Sequence, residues 1–252
     1  LKISFLIPAY NEEPTIGKVL EKVLNLPFDE REVIVVDDAS TDRTSKIVDG
    51  FQSQFDCIKL FRQSVNGGKT SAIARAIEAA TGDILIIQDA DLEYDPDEIP
   101  DIVAPIQEDV ADVVYGSRFL VKRASRVLYF YHYLANKSLT FFSNFLTNRN
   151  MSDIETCYKA FRKEVIKPIR LTSSGFGMEV ELTAMICKTK ARTYEVPISY
   201  YGRTYEEGKK IGLKDGIAAI WYIFYYNLIH PYTGSGKQYI KTVNELLTTP
   251  KP

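Results

Sequence analysis

Residues 84–91 read Ile-Leu-Ile-Ile-Gln-Asp-Ala-Asp, an apolar run that ends in two carboxylates, Asp89 and Asp91, one residue apart. Two hard oxygen ligands at that spacing suit Mg2+ or Mn2+ holding a diphosphate. A turn whose aspartates cap the next segment would explain an isolated Asp-x-Asp equally well. Three further polar clusters favour the site. Pro8-Ala9-Tyr10-Asn11-Glu12-Glu13, Asp37-Asp38 and Asn66-Gly67-Gly68-Lys69 each follow an apolar run too. In a parallel sheet these ends share one edge, where open α/β sheets bind ligands. Tyr10 then offers a ring to a nucleobase, Asp38 an acceptor to a base or ribose, and Asp89 with Asp91 a metal-diphosphate clamp.

Residues 63–70, Gln-Ser-Val-Asn-Gly-Gly-Lys-Thr, end like the Gly-x-x-x-x-Gly-Lys-Ser/Thr phosphate loop. Gln63, however, replaces the first Gly and brings a Cβ where that loop needs bare backbone. The segment also follows the third strand rather than the first. It reads instead as a turn shaped by Gly67 and Gly68, with Lys69 either near a phosphate or solvated at a helix start.

The elements that must position these groups are legible as alternating patterns. Strands at 3–7, 33–36, 58–61 and 84–87 alternate with helices at 15–26, from a Ser40 or Thr41 cap to about Phe51, and at 70–80. This repeat of roughly 25 residues predicts a doubly wound, mostly parallel α/β sheet flanked by helices, with the first 120 residues as a nucleotide-type half. After a strand at 113–118 the pattern predicts an aromatic helix over 127–147, a strand and helix start at 160–167, and a helix at 179–188. A strand at 193–198 and a second aromatic helix at 213–229 follow. No linker or internal repeat divides the chain.

With 252 residues, 45% of them hydrophobic, the chain can bury a sizeable core, and a formal net charge of -2 gives no electrostatic ground for nucleic-acid binding. Cys57, Cys157 and Cys187 are scattered, with no Cys-x-x-Cys and only two His. Neither a disulfide framework nor a zinc site is indicated, and a reducing, cytoplasmic setting is the simpler expectation. No signal peptide is read before the first strand, and no apolar run reaches the roughly 20 residues of a bilayer span.

Pro8-Ala9-Tyr10-Asn11-Glu12, Val36-Asp37-Asp38-Ala39-Ser40-Thr41-Asp42, Asp89-Ala90-Asp91-Leu92-Glu93, Gly116-Ser117-Arg118-Phe119, and Arg203 with Lys209 form a co-linear set. This set resembles the inverting family 2 glycosyltransferases of GT-A fold, specifically the dolichyl-phosphate mannose synthase branch, over about residues 2–230. The resemblance implies one Rossmann-like GT-A catalytic domain over 1–230, with a nucleotide-sugar half (1–120), an acceptor half (121–230) and a C-terminal tail (231–252). It implies that Pro8, Tyr10, Glu12, Val36 and Asp38 bind the nucleoside. Asp89, Ala90, Asp91 and Glu93 would line the metal-diphosphate site, with Arg118, Arg203 and Lys209 on phosphates and Asp91 and Arg118 as catalytic residues. Glu93 stands where many relatives carry Gln. The implied partners are a nucleotide sugar (GDP-mannose or UDP-glucose), a polyprenyl phosphate and Mg2+ or Mn2+; Tyr10 and Asp38 suit either nucleoside.

An anionic phosphate acceptor mainly needs cationic positioning, whereas a hydroxyl acceptor needs a general base. The planar fork of Arg118 suits the first. His132 and Asn136, four apart on one helix face, lie where relatives place Arg and Ser on the lipid phosphate. Glu179 and Glu181 lie where hydroxyl-acceptor relatives carry their base pair, so the rival is a soluble transferase acting on a sugar hydroxyl. Both glutamates would also stabilise a helix start. Asp153, Glu155 and Lys159 resemble the acceptor-side loop of lipid-phosphate transferases. Arg203, Lys209 and Lys210, among Gly202, Gly208 and Gly212, suit a basic lid. The two aromatic helices suit peripheral contact with the cytoplasmic face of a membrane, or a membrane partner protein. A binding module without turnover is the remaining class, but none of the motifs looks broken.

Overall fold

The apolar runs form a sheet because their β-branched side chains pack on both pleat faces. The computed structural model describes residues 1–120, 129–175, 177–202 and 213–249. The first half contains β1 (Ile3–Ala9), α1 (Ile16–Leu24), β2 (Arg31–Asp37), α2 (Thr44–Gln52), β3 (Ile58–Arg62), α3 (Gly68–Ala79), β4 (Ile84–Ile87) and α4 (Ile99–Gln107). The second contains β5 (Val113–Ser117), α5 (Phe130–Thr147), β6 (Lys159–Arg162), α6 (Lys163–Ile166), α7 (Gly177–Cys187), β7 (Thr193–Pro197), α8 (Leu213–Leu228) and α9 (Gly234–Thr248).

The strand order is β3-β2-β1-β4-β6-β5-β7. All neighbours pair in parallel except β6, which is antiparallel to both β4 and β5. Two reversals across β6 leave β5 pointing the same way as β4. The end of β5 at Ser117 and the start of β6 at Lys159 therefore share an edge with the ends of β1 to β4.

Alternation along each strand divides the core. Ile3, Phe5 and Ile7 join Val33, Val35, Ile84 and Ile86 beneath α1 and α4. Leu6, Ile34, Val36, Leu85 and Ile87 face the opposite side, beneath α3, α7 and α9. Each such fully buried aliphatic side chain contributes about 1.5–3 kcal/mol of transfer free energy.

Several boundaries differ from the sequence pattern for local reasons. α2 starts at Thr44 because Ser40 and Thr41 bond across to the first loop instead of capping it: Asn11 N donates to Ser40 Oγ at 2.9 Å, and Thr41 N to Asn11 Oδ1 at 2.8 Å. Residues 231–252, expected as a tail, include α9, whose Tyr239 and Val243 are buried in the second core cluster. Among the described residues no helix is long and apolar enough to cross a membrane.

Candidate active site

The end of β4 is held from beneath. Tyr158 Oη donates to Gln88 Oε1 at 2.6 Å, and Gln88 Nε2 donates to the Asp89 carbonyl at 2.8 Å. Asp91 Oδ1 accepts from Glu93 N at 3.1 Å, while Glu93 Oε2 accepts from Tyr200 Oη at 2.9 Å. Ala90 packs into the core. Among the described residues no group of three or more His, Cys, Asp or Glu side chains is gathered to hold a metal ion. Glu93, expected beside Asp89 and Asp91, thus completes no preformed cluster, because Tyr200 holds its carboxylate. The Asp89 and Asp91 oxygens still fit Mg2+ or Mn2+, since such ions are often held by one or two carboxylates together with substrate phosphates.

The first two loops interlock. Besides the Asn11 bonds, Glu12 N donates to Thr44 Oγ1 and Glu13 N to Asp42 Oδ2. The Glu12 carboxylate accepts from Thr15 Oγ1 at 2.9 Å. Pro8 is half-buried, and Tyr10 is 40% exposed, leaving its ring available to a nucleobase. Val36, expected at the nucleoside, sits at the end of β2 with its side chain in the core beneath the sheet. Asp38, expected to accept from a base or ribose, uses both carboxylate oxygens on the glycine turn: Gly67 N donates at 2.8 Å and Gly68 N at 2.7 Å. Gly68 has a φ of +79°, which a Cβ would strain. The turn's amides are thereby committed to an aspartate rather than to a phosphate.

That turn delivers Lys69 into the middle of the site. Its Nζ lies 2.7 Å from Asp89 Oδ1, 3.0 Å from Cys157 Sγ and 3.5 Å from Glu179 Oε1. Burial opposes the charge on Lys69, but the carboxylates of Asp89 and Glu179 outweigh it and hold its pKa well above the usual value. Burial also pushes the Cys157 thiol up, keeping it a neutral donor toward Glu179. Glu179 is only 4% exposed. Gly177 opens α7 where a Cβ would meet the Tyr222 ring at 2.6 Å, which brings this helix start close to α8. Glu181, the other candidate base, is an anchor instead. Its carboxylate accepts from Thr172 N, Thr172 Oγ1 and Ser173 N, which leaves it poorly placed to take a proton from a substrate.

Across the edge, Arg118 presents its fork to Asp153: Nε to Oδ2 and Nη2 to Oδ1, both at 2.7 Å. Burial works against the Arg118 charge, yet Asp153 keeps its pKa well above the usual value. Ser152 N and Asp153 N both donate to Glu195, which fixes that loop. The guanidinium also lies 5.2 Å from the Tyr200 ring centroid. Lys137 of α5 comes close, 4.9 Å from the Phe119 ring centroid and 3.4 Å from the Ser152 carbonyl. Asn136 bonds locally, Nδ2 donating to the His132 carbonyl at 2.9 Å, and the His132 ring lies 5.5 Å from that of Tyr129. Arg203, Lys209 and Lys210 lie outside the described residues.

Sequence reasoning left Lys69 between two roles and missed Lys137, Tyr200 and the pairing of Asp153 with Arg118. The Gly-Gly-Lys turn at a strand end was the available signal for Lys69. The partners of the others lie from 15 residues away, for Lys137 and Ser152, to 107, for Tyr200 and Glu93, beyond the periodic pattern of one element.

The family model described as "Glycosyl transferase family 2" matches residues 4–170. A dolichol-phosphate mannosyltransferase of Pyrococcus furiosus is 29% identical over 84% of this chain and 60% of its own length. An undecaprenyl-phosphate 4-deoxy-4-formamido-L-arabinose transferase of Proteus mirabilis is 31% identical over 84% of this chain and 64% of its own. The chain thus spans about three fifths of the length of these two relatives. A glucosyl-3-phosphoglycerate synthase from Mycobacterium tuberculosis, solved with Mn2+, UDP and phosphoglyceric acid, superposes with a TM-score of 0.69 at 19% identity. The superposition covers 90% of this chain and 79% of that one, and shows a shared GT-A fold.

Proposed function

Because the chain belongs to glycosyl transferase family 2, we propose that it transfers one hexose, with inversion, from a nucleotide sugar to a polyprenyl phosphate. The observation that carries this reading is the gathering of Asp89, Asp91, Lys69 and the Arg118–Asp153 pair along one sheet edge. Relatives named for transfer to dolichol phosphate and undecaprenyl phosphate support the lipid acceptor, and so does the commitment of Glu181 to its loop.

Tyr10 would stack on the base, and the loops around Glu12 and Asp38 would frame the nucleoside. Asp89 and Asp91 would hold Mg2+ or Mn2+, which when bound neutralises charge on the leaving diphosphate. Lys69 adds a fixed positive charge beside Asp89. Arg118 and Lys137 orient the acceptor phosphate, whose second ionisation near pH 6 leaves it largely dianionic at neutral pH. A lone pair on that phosphate forms the new bond to the anomeric carbon as the bond to the diphosphate oxygen breaks. The electron pair departs with the diphosphate, and no proton need be removed.

The lipid tail would lie toward α5 and α8, which pack together and expose Tyr131, Phe145 and Trp221. Between them Phe141, Phe142, Phe145, Leu146 and Phe224 line an apolar groove of about 300 Å³. This face would rest on the cytoplasmic side of a membrane. Asp91→Ala is expected to lower metal-dependent hexose transfer to a short polyprenyl phosphate by about two orders of magnitude or more. Full metal-dependent transfer by that variant would overturn the reading.

A further inference from the structure

Tyr200 stands between the turn after Asp91 and the guanidinium of Arg118. It follows β7, and the backbone on either side of it is fixed. Ser199 N and Oγ donate to the Glu98 carboxylate at 2.7 and 2.8 Å, and Tyr201 N donates to the Glu93 carbonyl at 2.8 Å. The Tyr200 ring is half-buried, 5.3 Å from the ring of Tyr94, which is itself buried 4.9 Å from that of Tyr158. So held, the side chain makes two unlike contacts. Its Oη donates to Glu93 Oε2 at 2.9 Å, and Glu93 N in turn donates to Asp91 Oδ1. Its ring centroid lies 5.2 Å from the centre of the Arg118 fork, whose nitrogens are engaged with Asp153.

We propose that Tyr200 is a positioning residue that serves both substrates, an inference that rests on the reading of the chain as a nucleotide-sugar transferase with a phosphate acceptor. Glu93 puts a carboxylate two residues from Asp91, and its charge opposes an approaching diphosphate. The phenol, which keeps its proton at neutral pH, draws that carboxylate to itself and spreads its charge. A hydrogen bond to an ionised acceptor is roughly twice as strong as a neutral one, so the contact holds Glu93 and the turn around Asp91 firmly. The ring acts separately: its π face attracts the Arg118 guanidinium and limits the rotation of the fork. Hydroxyl and ring therefore act on different substrates, the first on the nucleoside diphosphate and the second on the lipid phosphate.

Two variants separate the contacts: Tyr200→Phe keeps the ring and loses the hydroxyl, whereas Tyr200→Leu loses both. Calorimetric titration of the whole chain with UDP and with GDP in Mn2+ reads the first contact. The KM for a short polyprenyl phosphate, with GDP-mannose or UDP-glucose as donor, reads the second. Tyr200→Phe is expected to weaken binding of whichever nucleoside diphosphate binds by about tenfold, while the KM for the lipid phosphate stays within about twofold of wild type. Tyr200→Leu should also raise that KM by about fivefold or more. With Glu93→Gln in place the hydroxyl bonds a neutral acceptor, so adding Tyr200→Phe should weaken diphosphate binding by no more than about threefold. Equal losses of diphosphate affinity in the two backgrounds would overturn the proposal, as would unchanged or tighter diphosphate binding by Tyr200→Phe. So would a KM for the lipid phosphate that rises alike in the Phe and Leu variants, the mark of a merely structural ring. Diphosphate binding by the wild type without transfer to polyprenyl phosphate would overturn the acceptor reading and the role of the ring, leaving calorimetry to decide the role of the hydroxyl. Binding of neither nucleoside diphosphate would overturn both the proposal and the reading beneath it.

Discussion

The ammonium of Lys69 lies between the carboxylates of Asp89 and Glu179, so that one positive charge faces two negative ones in a partly buried site. Removing one partner of such an arrangement costs more than the pair contributes, because the remaining charges stay desolvated. Lys69→Met should therefore lower unfolding free energy by about 2–4 kcal/mol, toward the low side of a fully buried pair. It should also weaken UDP or GDP binding in Mn2+ by about tenfold. Urea unfolding and calorimetry would check both, and an unaltered midpoint would show that Lys69 is a solvated helix-start residue after all. Asp38 teaches a related lesson at this scale. Its importance at a strand end was visible in the sequence, but its partners Gly67 and Gly68 lie 29 and 30 residues away, and only the folded turn reveals them.

At the scale of elements, Glu32 on β2 ties three strands together. It is 2% exposed and accepts from Ser4 of β1, Lys59 of β3, and Thr81 and Gly82 before β4. Burial opposes its charge, but Ser4, Thr81 and Lys59 prevail and lower its pKa from the ordinary 4.5 to about 2. A carboxylate depressed on folding stabilises the protein above its unfolded pKa, and that stability is lost as pH falls through the folded value. Between pH 4.5 and 2 the chain should thus lose a contribution of about 1–3 kcal/mol. Glu32→Gln should lower stability at pH 7 by about that amount and flatten this part of the acid limb in chemical denaturation. An acid limb identical to wild type would contradict the assignment. The strands themselves were readable because burial on both faces demands continuous apolar runs, and those runs end where the chemistry begins. The antiparallel direction of β6 was not readable, since Lys159–Arg162 carries no pattern that distinguishes it from a parallel strand. The cross-links of Asn11 with Ser40 and Thr41 escaped for another reason: the same residues also fit a helix cap.

For the whole molecule, the exposed faces of α5 and α8 set the polarity of the surface. Phe145 is 77% and Trp221 62% exposed, a distribution that monomeric soluble surfaces rarely sustain over a continuous patch. On the proposed function this face meets lipid, and Phe145→Asp with Trp221→Asp should reduce co-sedimentation with phospholipid vesicles by about tenfold or more. Vesicle binding equal to wild type would show that this face does not meet lipid. The aromatic helices were visible from composition, whereas their mutual packing into a groove emerged only with the fold.

The linkage in the product distinguishes a phosphate acceptor from a hydroxyl acceptor. The chain would be incubated with Mn2+, a short polyprenyl phosphate, soluble sugar acceptors and either GDP-mannose or UDP-glucose, and the products analysed by mass spectrometry and NMR. The expected product is one hexose joined through its anomeric carbon to the lipid phosphate, with inverted configuration. Hexose found on a sugar hydroxyl while the lipid phosphate stays unmodified would contradict it.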